Sequence, residues 1–172
     1  FNQTGIAVDC PPEKNLCLKA YNLVRSQRQI PPVEITLDKR VPFGAGLGGG
    51  SSDASAVIVA LNEEFSLGLS IKEMVDMAAA LGSDTAFFIE NKTQLCTGRG
   101  EVMHPIAIDL QGLWLVVIKP PFGVSTAEAY SGVRPAVPAR SLTERLSDDR
   151  STWQAQIVNG FEPHIFAAHP RL

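Results

Sequence analysis

Pro42-Phe43-Gly44-Ala45-Gly46-Leu47-Gly48-Gly49-Gly50-Ser51-Ser52-Asp53 places five glycines in the seven positions 44–50. Each glycine brings backbone freedom that folding must remove, so this density calls for a physical reason, and close approach of the backbone to a ligand is one. A chain without Cβ atoms can curl until successive N–H groups converge, and a helix starting directly after the curl adds unpaired donors and the positive end of its dipole. Such an assembly binds anions. Residues 44–52 are therefore expected to wrap phosphate, with Ser51 and Ser52 free to cap the helix, to donate to phosphate oxygens or, for Ser52, to ligate a bridging Mg2+.

Other readings of the loop fit less well. A flexible linker is not normally bracketed by a patterned strand and an alanine-rich helix. Gly44, Gly46 and Gly49 satisfy G-x-G-x-x-G, but Pro42 separates strand from loop and no second βαβ half follows, against a dinucleotide fold. Gly50 stands where a Walker loop carries its lysine, so phosphate would be held without a lysine from the loop itself.

Working outward, Val33, Ile35 and Leu37 alternate with Glu34, Thr36 and Asp38, the period-two pattern of a half-buried strand. Asp9-Cys10-Pro11-Pro12 signals a helix start, and Leu16, Ala20, Leu23 and Val24 line one face of a helix over 12–25. After the loop, a helix is expected from Asp53 to about Ser66-Leu67-Gly68. Ser70 and Glu73 form a capping box for another that ends at Leu81-Gly82 and buries Met74, Val75, Ala78 and Leu81. Residues 86–89 and 94–97 flank Asn91-Lys92 like hairpin arms, and the apolar run 113–118 reads as a strand buried on both faces. Pro120-Pro121 then interrupts, Ser125 and Glu128 propose a further capping box, 134–140 is a proline-rich connector, and short helices are expected from Ser141 and Ser151. The class is α+β, with one domain over 1–110 and part of a second over 111–172.

The 172 residues are 45% hydrophobic, enough for a well-buried core, and the net charge of −3 leaves no cationic surplus for nucleic-acid binding. No apolar run reaches the length of a membrane span. Cys10, Cys17 and Cys96 are odd in number with no C-x-x-C pairing, which fits a reducing cytoplasm better than a disulfide framework. His104, His164 and His169 are too scattered for a zinc site. Taken alone, Lys39 is a solvated strand-end charge, Asn15 a capping group, Asp84 a turn or N-cap aspartate, and Arg99 with Glu101 a solvated turn.

The string GAGLGGGSSDASAVIVALN resembles the GHMP family of small-molecule kinases, as do Asn15-Leu16 with Lys19-Ala20, Asp38-Lys39-Arg40, Gly82-Ser83-Asp84 and Gly98-Arg99-Gly100-Glu101. The resemblance is strongest from Asp9 to Glu101. It implies a ribosomal-protein-S5-like N-terminal domain that binds ATP with Mg2+, followed by a ferredoxin-like domain. It also implies transfer of phosphate to the 2-hydroxyl of a cytidine-diphosphate-linked methylerythritol, a step of the non-mevalonate isoprenoid route. Under it, Asp84 matches the catalytic base, Gly44, Ala45, Gly46, Leu47, Gly48, Gly49, Gly50, Ser51 and Ser52 the phosphate loop, and Asn15, Lys39 and Asp53 the nucleotide pocket. Homoserine, mevalonate or a sugar as acceptor, or a non-catalytic nucleotide-binding scaffold, stand as alternatives. Family members open with a strand carrying a catalytic lysine and carry a later glycine-rich motif. Neither lies in 1–172, and Gly160 replaces the acid of an N-D-F-E string, so these residues alone are expected to be inactive.

Overall fold

The computed structural model describes residues 1–8, 10–120 and 122–172. The expected helix-start residue Asp9 and the second proline of the 120–121 break, Pro121, lie outside them. The chain divides into two units, 1–107 and 108–172.

In the first unit β1 (Asn2–Gly5) pairs in parallel with β2 (Thr36–Lys39), Asn2 opposite Thr36 and Gly5 opposite Lys39, and α1 (Leu16–Gln27) connects them. The expected helix over 12–25 is divided: a 3-10 turn spans Pro12–Lys14 and Asn15 restarts the chain in extended geometry. The Asn15 side chain accepts hydrogen bonds from the N–H groups of Cys17 and Leu18, so it caps α1. The apolar stripe of α1 packs on α2 (Gly49–Glu64) and α3 (Ile71–Leu81), with Ala20, Val24, Ile58, Leu61, Met74 and Ala78 at the centre. Ile58 is wholly buried; truncating it to Ala should cost about 2–5 kcal/mol.

α2 begins at Gly49, ahead of the expected Asp53. Two glycines at a helix start disfavour it by about 1 kcal/mol each on propensity, but packing overrides this. A Cβ on Gly49 would lie 2.9 Å from Cγ1 of Val41 and 3.1 Å from Nζ of Lys39, so only glycine lets this turn sit on the end of β2. α3 carries the expected capping box in both directions between Ser70 and Glu73 and ends at Gly82.

Residues 86–89 are no hairpin arm. They fall in a turn and the short helix α4 (Phe87–Glu90), and Asn91, at φ 49°, is its left-handed C-cap, a conformation asparagine tolerates. The hairpin lies one step later: β3 (Gln94–Thr97) pairs antiparallel with β4 (Val102–Pro105) around Gly98 and Gly100, both with positive φ.

The described elements of the second unit are helical: α5 (Thr126–Ser131), α6 (Leu142–Leu146), a 3-10 turn Arg150–Thr152, α7 (Trp153–Gln156) and α8 (Glu162–Ala168). Ser141 and Glu144 form a full capping box. Ser125 receives the N–H of Glu128, but the Glu128 carboxylate turns instead to His169, 2.6 Å away. Asp149, two residues earlier than the expected Ser151, caps the next element. The expected buried strand 113–118 is not one: no strand pairs with it among the described residues, and Trp114 is 97% and Ile118 85% exposed. Hydrophobicity favours burial but supplies no neighbour. No helix of the described residues is long and apolar enough to cross a membrane.

Candidate functional site

Gly44, Gly46 and Gly48 all take positive φ, 65–70°, a conformation glycine enters without steric cost, and they curl the chain into the start of α2. Gly48 is the N-cap and has no side chain to offer. The first backbone bond of the turn runs from the N–H of Ser52 to the carbonyl of Gly48, 2.9 Å. Among the described residues the N–H groups of Gly49, Gly50 and Ser51 therefore have no acceptor, and they stand at the positive end of a 16-residue helix.

Beneath this turn lies Lys39. The sequence left it a solvated strand-end charge; instead it is 3% exposed, and its Nζ pairs with Oδ2 of Asp53 at 2.5 Å. The reason is register: Val33, Ile35 and Leu37 are the less exposed positions of an alternating segment, and Lys39 continues the same face. Gly50, Asp53, Lys39, Asn15 and Lys14 line one small cavity of about 50 Å³. Cys17, on the same wall, has its thiol pushed up to about 11, by burial first and by the negative charge of Asp53 next, with Lys39 opposing.

A second cavity, of about 320 Å³, is lined by Gly46, Leu47, Gly48, Asp84, Phe88 and Gly100 among others. Asp84 sits on the turn between α3 and α4, exposed, and its carboxylate has no hydrogen-bond partner among the described residues. A Cβ on Gly48 would come within 2.9 Å of the Phe88 ring, and one on Gly100 within 2.7 Å of the Ser83 carbonyl. The loop, the Asp84 turn and the tip of the β3–β4 hairpin thus meet at one place.

The structure therefore brings Gly46, Leu47, Gly48 and Asp84 to one cavity and Asn15, Lys39, Gly50 and Asp53 to another, so the start of α2 contributes to both. Gly44 and Ala45 line neither cavity. Ser51 and Ser52 sit half-exposed on the first turn of α2, and neither caps it. Sequence reasoning missed the burial of Lys39, the helical state of Gly49 and Gly50, and the wall formed by Cys10, Lys14 and Cys17; the alternation running into Lys39 was the one available sign. Among the described residues no three His, Cys, Asp or Glu cluster as metal ligands. A Mg2+ held chiefly by phosphate oxygens and water needs no such cluster, and the half-exposed Ser52 hydroxyl fits as a single protein ligand.

Residues 15–92 match the family model for the GHMP kinases N terminal domain. The 4-diphosphocytidyl-2-C-methyl-D-erythritol kinase of Parabacteroides distasonis is 44% identical over 99% of this chain and 63% of its own length. That of Cytophaga hutchinsonii is 42% identical over 100% of this chain and 64% of its own. A crystal structure of 4-(cytidine 5'-diphospho)-2C-methyl-D-erythritol kinase aligns with a TM-score of 0.67 at 27% identity, covering 99% of this chain and 62% of that one. The chain thus spans less than two thirds of the length of these relatives.

Proposed function

Residues 15–92 carry the N-terminal domain of the GHMP kinases, and from that premise we propose that the protein phosphorylates 4-diphosphocytidyl-2-C-methyl-D-erythritol at its 2-hydroxyl with ATP, in non-mevalonate isoprenoid precursor synthesis. The observation that carries the reading is the meeting of the glycine loop and the Asp84 carboxylate at one cavity beside unpaired helix-start N–H groups. Substrate choice draws on the relatives' names. A cytoplasmic setting accords with the three free cysteines.

Phosphoryl transfer has a loose, charge-rich transition state, so the protein mainly positions reactants and stabilises negative oxygens. The N–H groups of Gly49, Gly50 and Ser51 face phosphate oxygens, and Lys39 adds a cation behind them whose charge Asp53 balances. Asp84 accepts the proton of the alcohol as its oxygen bonds to the γ-phosphorus and the bond to the bridging oxygen of departing ADP breaks. Asn15 and Asp53 line the nucleotide side, and Ser52 would be the protein ligand for a Mg2+ that would neutralise phosphate charge.

The test is ADP release by the full-length protein offered the cytidylylated methylerythritol beside homoserine and mevalonate. Turnover should be confined to the first, and Asp84→Asn should lower it by about 10²-fold or more. Activity only with homoserine or mevalonate would overturn the substrate, and unchanged turnover in Asp84→Asn would remove the base.

A further inference from the structure

We infer that Ser55 is a positioning residue, a buried hydroxyl on α2 that fixes the Asp84 turn at its working distance from the phosphate seat. The inference rests on the functional reading above, in which Asp84 takes the alcohol proton.

Ser55 is 0% exposed, one helical turn beyond Ser51. A serine inside a helix ordinarily satisfies itself on the carbonyl four residues back, and Ser55 Oγ does lie 3.1 Å from the carbonyl oxygen of Ser51. Its shorter contact leaves the helix, reaching the carbonyl oxygen of Thr85 at 2.6 Å. A hydroxyl has one proton, so the geometry favours donation to Thr85, the residue directly after Asp84.

Thr85 is itself 0% exposed, and its Oγ1 has no hydrogen-bond partner among the described residues. That buried hydroxyl lies 3.0 Å from where a Cβ on Gly82 would sit. Thr85 thus pays a desolvation cost with no bond of its own, and its side chain does not anchor the turn. Its backbone does: the carbonyl receives Ser55 on one side and the N–H of Phe88, at 3.1 Å, on the other. Ser55, one turn into α2 from the free N–H groups, therefore ties that helix start to the backbone of the residue directly after Asp84.

Deleting the Ser55 hydroxyl leaves the N–H groups of Gly49, Gly50 and Ser51 untouched and leaves the Thr85 carbonyl still bonded to Phe88. What it removes is the constraint on where the carboxylate stands, and small displacements of reacting groups lower rate steeply. The expected signature is a kcat effect without a nucleotide KM effect.

In the full-length protein, Ser55→Thr and Ser55→Val are matched in volume and differ at the hydroxyl, so overpacking affects both alike. The valine variant should show kcat lower than the threonine variant by about tenfold or more, with ATP KM within about twofold; Ser55→Ala should resemble valine. Should Ser55→Ala fail to fold, the threonine and valine pair still decides. Equal kcat in that pair, or a drop in melting temperature with unchanged kcat, overturns the inference. Asp84→Asn, measured alongside, separates the two failures: if it is inactive while the pair is equal, only the Ser55 inference falls, and if it turns over normally, the assignment of Asp84 falls and the inference with it.

Discussion

Removing either half of the Lys39–Asp53 pair should have unequal consequences, and the inequality can be worked from exposure. The charges lie 2.5 Å apart, with 3% of the Lys39 side chain and 24% of that of Asp53 in contact with solvent. At an effective dielectric near 20 their gross attraction is about 7 kcal/mol, much of it offset by stripping water from the ammonium. Asp53→Ala leaves that ammonium buried without a counter-charge, which should cost about 3–5 kcal/mol. Lys39→Met fills a similar volume and leaves a carboxylate that water can still reach, so roughly 1–2 kcal/mol is expected. The double variant should be more stable than Asp53→Ala alone, because no charge is then stranded. Urea unfolding of the full-length variants, compared at equal m-values, measures all three. If Lys39→Met costs as much as Asp53→Ala, or both cost less than about 0.5 kcal/mol, Lys39 is not buried as described and the view of it as a cation behind the loop fails.

Gly48→Ala should destabilise by about 2–4 kcal/mol, from left-handed strain plus overlap with the Phe88 ring. Gly46→Ala has the same strain but no atom within 4 Å of the new methyl, so about 1–2 kcal/mol is expected in thermal melts; equal losses would argue against the Gly48–Phe88 contact. The backbone N–H of Ser70 first and its hydroxyl next hold the Glu73 carboxyl below its ordinary 4.5, with Arg28 adding. A lowered folded pKa stabilises above the unfolded value and is lost as pH falls through the folded one. The melting-temperature gap between wild type and the non-titrating Glu73→Gln should therefore be full at pH 7 and close progressively below pH 4.5; a gap independent of pH would contradict it. Iodoacetamide on the native protein at pH 8 should label exposed Cys96 and spare Cys17, whose thiol is raised to about 11, until urea is added. Comparable labelling rates would show the α1–α2 wall to be open.

Element ends were legible where a side chain announces them. Ser70 with Glu73 and Ser141 with Glu144 do so, through hydrogen bonds fixed by local spacing. α2 begins at Gly49 behind an N-cap, Gly48, that offers no side chain, so its beginning was read four residues late. Phe87-Phe88-Ile89 is apolar under either period, and packing against α2 and α3 made it helical, with Asn91 closing the helix rather than turning a hairpin. β1 is polar throughout and became a strand through backbone pairing with β2, which composition does not register. For residues 113–118 composition favoured burial, but nothing local supplies a partner.

The candidate site repeats the same division between pattern and partner. At about 100° per residue, Gly49 and Asp53 share one face of α2, and Ser51 and Ser55 share a face turned roughly 200° from it. The first face meets the end of β2: Gly49 makes room for Lys39 and Asp53 pairs with it. The second meets the Asp84 turn through Ser55 and the Thr85 carbonyl. Both pairs are visible in GGSSDASA once the helix is known to begin at Gly49, and the alternation of Val33, Ile35 and Leu37 already points Lys39 inward. What no local pattern could supply was that one helix start lies between a buried lysine and an exposed aspartate. The first turn of α2, whose N–H groups have no acceptor among the described residues, is thus flanked by the Lys39–Asp53 pair on one side and tied to the Asp84 turn on the other, which is the arrangement the proposed phosphate seat requires.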